Sequence, residues 1–149
     1  MEKDLELINS ALVAVFNDIL TIEESELQKS EFDDISIKEM HTIEAIGLHN
    51  ERTSSEVAKR LSVTVGTLTV AINNLEKKGY VERIRCETDR RIVRLKLTNR
   101  GRLFYRVHAS FHKNMVKAAL TDMNEEEKNA LVKGLGNLHN FLKQAGIEE

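Results

Sequence analysis

Between Leu5 and about Leu27, the residues Leu5, Ile8, Leu12, Val15, Phe16, Ile19 and Leu20 recur at three- and four-residue steps. That period predicts a long amphipathic helix with its acids on the other face. A break at Phe32-Asp33-Asp34 is followed by Ser36-Ile37-Lys38-Glu39, a capping-box pattern, and then by Met40, Ile43, Ile46 and Gly47, so a second, shorter helix starts there. Beyond the polar turn His49-Asn50-Glu51-Arg52, Thr53 and Glu56 form another capping box ahead of Val57, Ala58 and Leu61. Ser62-Val63 makes a tight corner, and a helix from about Thr64 carries Val65, Leu68, Ile72 and Leu75 on its buried stripe. Lys77-Lys78-Gly79 closes it, because lysines suit the negative end of the helix dipole and glycine suits the left-handed position after the last turn.

The period then changes. Tyr80 to Arg85 and Ile92 to Leu97 are short β-prone runs, the second alternating Val93, Leu95 and Leu97 against Arg94 and Lys96. Polar Cys86-Glu87-Thr88-Asp89-Arg90-Arg91 between them reads as a hairpin tip. Thr98 caps a long helix through Leu103, Val107, Phe111, Met115 and Leu120, and Asn124 with Glu127 caps a last one through Leu131, Leu135, Leu138 and Leu142, ending near Gly146. The predicted fold is mainly α with a small β-hairpin.

Residues 53 to 78 supply two short helices with a tight corner, the shape that lays a second helix into a DNA major groove while the first crosses behind it. The buried stripe of the second helix leaves Thr64, Gly66, Thr67, Val70, Asn73 and Asn74 on or near the opposite face. Most of these are small or hydrogen-bonding, where a merely solvated helix would more often show Lys and Glu. Arg90 and Arg91 at a projecting tip are placed for a minor groove, with Asp89 available to hold one of them. Arg83, Arg85, Arg94 and Lys96 on the flanking strands suit phosphates. The predicted DNA-facing set is Thr53, Ser54, Ser62, Thr64, Gly66, Thr67, Thr69, Asn73, Asn74, Arg83, Asp89, Arg90 and Arg91. Helix pair, corner, glycine stop and basic hairpin in succession are much more specific than any one alone, so this winged helix-turn-helix reading outweighs a plain helical hairpin with solvated arginines.

Charge alters the picture only when it is resolved along the chain. The whole carries −2 with a pI near 6.2, which taken alone argues weakly against nucleic acid. Residues 1–34 hold Lys3 and Lys29 against ten acids, a balance of −8. Residues 35–100 hold thirteen Lys and Arg against eight acids, a balance of +5, and residues 101–149 come to +1. The basic part is the predicted DNA-facing part. In 149 residues there is no proline and a single cysteine, Cys86, so neither a disulfide framework nor a CxxC zinc site is implied. The acidic N-terminus does not resemble a signal peptide, and no apolar run suggests a membrane span, so a cytoplasmic protein without a membrane partner is expected. No G-x-S-x-G, Walker-type glycine run or HExxH occurs, which argues against an enzyme. A pure protein-interaction module is the remaining competitor.

The run from Leu61-Ser62-Val63-Thr64 through Leu75-Glu76-Lys77-Lys78-Gly79-Tyr80-Val81-Glu82-Arg83, then Asp89-Arg90-Arg91 and Leu95-Lys96-Leu97-Thr98-Asn99-Arg100-Gly101, resembles the MarR family of transcriptional regulators over nearly the whole chain. The Asp-x-Arg of the wing and the Leu-Thr-x-x-Gly after it carry the likeness. Asp34 to Ile43, Asn73-Asn74-Leu75-Glu76 and Gly101-Arg102-Leu103 resemble more narrowly the branch of that family that represses fatty-acid synthesis. The resemblance implies a homodimer intertwined through residues 1–34 and 99–149, with 35–98 as the DNA-binding region reading a pseudo-palindrome. Long apolar stripes on extended helices accord with that. The family often has a basic residue where Val70 stands, so base readout would lean on threonine and asparagine, favouring thymine methyls and adenines.

Three effector chemistries are open. The resemblance implies an acyl chain on acyl carrier protein as corepressor, for which Leu12, Phe16, Leu20, Met40, Ile43, Phe104, Val107, Phe111 and Met115 are candidate lining residues; plain core is the alternative for each. A zinc-sensing branch of the family suggests His108 and His112, at i and i+4, with Glu24 and His41 as weak metal candidates; a structural or surface role is favoured, and no metal is assigned. A redox-sensing branch suggests Cys86 near the wing.

Overall fold

A computed structural model describes residues 1–49 and 51–146. Asn50, part of the predicted polar turn, lies outside the described residues. The chain divides into two compact units, Met1–Phe104 and Tyr105–Glu149.

The first unit runs α1 (Glu2–Lys29), α2 (Ile37–Ile46), β1 (Arg52–Thr53), α3 (Ser54–Leu61), α4 (Val65–Lys77), β2 (Val81–Arg85), β3 (Val93–Leu97) and the opening turns of α5 (Asn99–Ala119). The predicted caps of this unit are made: Ser36 Oγ accepts the Glu39 N–H at 3.2 Å, Thr53 Oγ1 that of Glu56 at 3.2 Å and Thr98 Oγ1 that of Gly101 at 3.1 Å, and Thr64 Oγ1 adds another by accepting the Thr67 N–H at 3.1 Å. A side-chain acceptor at these positions satisfies one of the orphan amides of a first turn, worth about 1 kcal/mol. Glu39 does not complete its box, because its carboxylate goes to Lys78 Nζ at 2.8 Å.

The corner between α3 and α4 is built by Ser62, which takes the left-handed conformation at φ 55°. That conformation sends the Val63 N–H back to the Ala58 carbonyl at 3.0 Å and the Ser62 N–H to Lys59 at 3.2 Å. Gly79, at φ +85°, repeats the device after α4, with the Tyr80 N–H on the Leu75 carbonyl at 2.9 Å. Both helices therefore stop on paired end carbonyls.

Met40, Ile43 and Ile46 of α2, Val57 and Ala58 of α3, and Leu68, Ile72 and Leu75 of α4 meet Leu95, Leu97, Val81 and Tyr80 in one core. Phe32 and Phe104 close its side, edge to face with centroids 5.3 Å apart, an arrangement favoured by the ring quadrupoles. Val65, expected on the buried stripe, is instead 47% exposed, because in the first turn of α4 it faces the hairpin side and not α2.

The sheet is antiparallel in the order β1-β3-β2. Its third strand was not anticipated: the predicted turn residue Arg52 pairs with Leu95, and Thr53 with Arg94. Two residues are too short to show alternation. The other strands match the prediction to within a residue, with Val81 opposite Leu97 and Arg85 opposite Val93.

A polar knot fastens this unit. The Tyr80 hydroxyl donates to Asp34 Oδ1 at 2.6 Å, and Lys78 Nζ donates to the Asp34 carbonyl and to Glu39. The Arg100 guanidinium lies 4.8 Å from the Tyr80 ring centre and reaches Asp34. Burial first, and the Asp34 carboxylate second, push the Tyr80 phenol from 10.0 up to about 12. The fold thus favours the protonated phenol. Its contribution is complete below pH 10.0 and is lost as pH climbs from there through about 12. Tyr80→Phe is expected to flatten the alkaline limb of a stability-against-pH curve; a limb of unchanged steepness would assign that loss to other groups.

The second unit holds the rest of α5 and α6 (Glu125–Gly146). The predicted box at its turn is complete and reciprocal: the Asn124 N–H donates to Glu127 Oε2 at 2.8 Å, and the Glu127 N–H to Asn124 Oδ1 at 2.9 Å. Val132, Leu135, Phe141 and Leu142 are exposed along α6.

On α1, Leu5, Ile8, Leu12, Val15 and Phe16 are likewise exposed, while Glu23 and Leu27 are buried. By length and composition α1 is long and apolar enough to cross a membrane, against the expectation that no segment qualifies. Its arrangement differs from a lipid-facing helix, since Glu6, Ser10, Asn17 and Thr21 fall on one face, the two-sided pattern of a helix that packs on protein.

Candidate nucleic-acid interface

Burial of Leu68, Ile72 and Leu75 turns the opposite side of α4 outward, and Gly66, Thr69, Val70, Asn73, Asn74 and Lys77 are all exposed. Thr64 Oγ1, besides capping the helix, donates to Thr67 Oγ1 at 2.9 Å, which leaves the Thr67 hydroxyl hydrogen available to an outside acceptor. Thr69 spends its hydroxyl on the Val65 carbonyl at 2.8 Å and so presents its methyl. A Cβ at Gly66 would meet nothing closer than Thr64 Oγ1 at 3.9 Å. The fold does not require glycine there, and its effect is to leave the first turn bare for close approach.

Between α4 and the hairpin runs an open groove of about 710 Å³ lined by Thr53, Ser54, Thr69, Asn73, Arg83, Arg85 and Arg91 among others. Six residues of the predicted DNA-facing set, with Arg85 of the flanking strand, therefore share one concavity. Ser62, Thr64, Gly66, Thr67 and Asn74 are exposed on or beside the same helix. At the tip, of the two arginines open to it Asp89 holds Arg91: Oδ1 accepts the Arg91 backbone N–H at 3.0 Å and Nε at 3.1 Å, and Oδ2 accepts Nη2 at 3.3 Å. Those bonds keep the Asp89 carboxyl below its ordinary pKa. The Arg91 side chain is 92% exposed all the same, so it is aimed but not buried. Arg90 is exposed beside it.

Arg83, one of the residues expected to suit phosphates, is engaged within the protein. Its guanidinium turns onto α4, with Nη2 on Asn73 Oδ1 at 2.6 Å and Nη1 on Glu76 Oε1 at 3.0 Å. Arg52 is another residue whose role the pattern did not disclose: Nη1 donates to the Ala45 carbonyl at 2.5 Å, capping the C-terminal end of α2 from β1. Lys77 joins the outward face at the position a helical wheel gives it, beneath Asn73 and Val70.

The ligand candidates are distributed unevenly. In the first unit Met40, Ile43 and Phe104 are core residues, while Leu12, Phe16 and Leu20 are exposed on α1. In the second unit Val107 is exposed and Phe111 and Met115 are half-buried, with the Phe111 ring against those of His108 and His112. The two histidines bring their Nε2 atoms within 2.9 Å, close enough for one to donate to the other. His41 Nδ1 faces Glu44 at 3.4 Å, and Glu24 is exposed on α1. The Cys86 thiol lies 3.1 Å from Thr88 Oγ1, whose hydrogen bond draws its pKa below the ordinary value.

A profile of the MarR family matches residues 33–92, the segment from the loop before α2 to the wing tip. The uncharacterised HTH-type transcriptional regulator YfiV of Bacillus subtilis is 30% identical over 116 residues, 77% of this chain and 72% of its own length. The chain belongs to the MarR family. Among solved structures, FabT of Streptococcus pneumoniae in complex with DNA superposes with a TM-score of 0.86 at 52% identity, covering 94% of this chain and 98% of that one. A MarR-family protein from Bacillus stearothermophilus superposes with a TM-score of 0.73 at 17% identity, over 96% and 98% of the two chains, a likeness of fold. The protein is a transcriptional regulator of this family. In MarR terms α4 is the recognition helix, and β2, β3 and their tip are the wing.

Proposed function

We propose that this protein represses genes of fatty-acid synthesis, binding a pseudo-palindromic operator as a homodimer, with long-chain acyl groups on acyl carrier protein as corepressor. The observation that carries the reading is the 52% identity to FabT, over 94% of this chain, in a structure of that protein with DNA. The outward face of α4 supports it with hydroxyl, methyl and amide groups that suit base edges, and the wing with a carboxylate-aimed arginine. Exposed apolar stripes on α1 and α6 supply surface for a second copy, which would set two recognition helices about 34 Å apart. Such a regulator works in the cytoplasm, on double-stranded DNA.

A corepressor acts by binding the DNA-competent arrangement of the dimer more tightly than the alternatives. Linkage makes the effect reciprocal: operator DNA would raise the affinity for acyl carrier protein by the same factor.

The test is an operator titration followed by fluorescence anisotropy, with acyl carrier proteins bearing chains of increasing length. Long chains are expected to raise affinity about tenfold, within the usual range of allosteric coupling. No change at any length would remove acyl carrier protein from the account. In the same assay Arg91→Ala should weaken binding about tenfold with unchanged thermal stability, as the loss of a groove contact predicts. Equal affinity for the two proteins would remove the wing.

A further inference from the structure

The bond between Arg83 and Asn73 crosses from the wing strand to the middle of the recognition helix, and its direction is dictated by chemistry. A guanidinium has only donors, so the atom of Asn73 that faces Arg83 Nη2 at 2.6 Å is the carboxamide oxygen. The amide nitrogen must then point the other way. Asn73 is exposed and lies on the outward face of α4 with Gly66, Val70 and Lys77. Arg83 is also occupied by Glu76 Oε1 at 3.0 Å and is itself only 25% exposed in its side chain. One guanidinium thus orients an amide and neutralises the single carboxylate on that side of the recognition helix.

Resting on the operator-binding reading above, we propose that Arg83 is a positioning residue for base recognition. It fixes Asn73 as a donor, so the base edge beneath Asn73 carries an acceptor: O4 of thymine, N7 of adenine, or O6 and N7 of guanine. Asparagine reads adenine by donating to N7 while accepting from N6. With its oxygen turned onto Arg83, Asn73 cannot lay oxygen and nitrogen side by side along the adenine edge, and the two-point preference for adenine otherwise expected of an asparagine in the major groove disappears. Arg83 itself makes no phosphate contact.

The experiment selects sequences from a library of random duplexes with the full-length protein, then measures affinity for every single-base-pair change in the selected site at several salt concentrations. Asn73→Ala locates the base pair in question as the position where preference vanishes. Wild type is expected to disfavour cytosine there, the one base whose major-groove edge offers only a donor, and to prefer adenine over neither thymine nor guanine. Arg83→Ala should raise the relative affinity for adenine at that position alone, with the slope of log affinity against log salt unchanged. Asn73→Asp keeps the bond to Arg83 and replaces the outward donor by an acceptor, so its preference should move to a base offering an amino group, N4 of cytosine or N6 of adenine. This variant leaves Arg83 in place and decides the matter even if Arg83→Ala fails to fold.

Adenine favoured by the wild type at that position would overturn the proposal. So would a uniform loss of affinity in Arg83→Ala with the salt slope lowered by about one, the mark of a lost phosphate contact. If the wild type enriches no sequence over random duplex, operator binding itself falls, and the proposal with it.

Discussion

Gly101→Ala is expected to lower the melting temperature by about 10 °C, from a loss of roughly 3 kcal/mol in a chain of this size. Gly101 is buried in the first turn of α5, where its N–H donates to Thr98 Oγ1 at 3.1 Å. A Cβ there would collide with the backbone carbonyl of Tyr80 and press on Leu97 Cβ at 3.3 Å. The carbonyl cannot step aside cheaply, because it accepts the Thr98 N–H at 3.0 Å. Thr98 is in turn held by its own hydroxyl, which donates to the Gly79 carbonyl at 2.6 Å. Start of helix, end of strand and turn after α4 would all have to move together. Gly134 and Gly136 on α6 provide the contrast: nothing lies within 4 Å of a Cβ at either. Alanine there should stabilise by about 0.5–1 kcal/mol through helix propensity. Calorimetry on the three variants checks the argument, and an unshifted melting temperature for Gly101→Ala would show the close approach to be absent.

Phe16→Asp should leave each chain folded but abolish its pairing with a second copy. The ring is 64% exposed on α1, so a carboxylate there costs the isolated chain little. Leu12 and Leu20, one turn away on either side, continue the same stripe, and a charge in its middle would be buried unpaired in a dimer. Sedimentation should give the mass of one chain. Operator affinity should fall about a hundredfold or more, because a single half-site contact loses the gain of bivalent attachment. A variant that keeps the mass of two chains would show that α1 is not where the copies meet.

How much of this was visible in the chain itself depends on the range of the forces involved. Ser36, Thr53, Thr98 and Asn124 announce their helices because a cap is a bond between residues three apart, and the structure makes all four. Asp89 was legible for the same reason as a partner for one of the two arginines after it, and the structure gives it Arg91. Arg52 and Leu95 are far apart in the chain, and a strand of two residues leaves no period to detect. Val65 followed the helical period but stands in a turn where the partner surface has ended. The bond from Arg83 to Asn73 depends on the register of β2 against the helix before it, which no local pattern encodes; Arg83 therefore looked like one more basic residue. His108 and His112 were recognisable as a pair from their spacing, whereas the closeness of their ring nitrogens follows from rotamers.

The knot at Asp34 draws in Tyr80, Lys78 and Arg100, and Arg83 and Thr98 bind neighbouring strands and turns to the same helix. Among the described residues these bonds tie helix, strand and turn of residues 34–100 to one another. A signal arriving there would carry that segment as one piece, altering where it is presented and not what it spells. On the proposed function, address and switch are then separable: exchanging Thr67, Val70 or Asn74 is expected to change the sequence bound and to leave the response to an effector as it was.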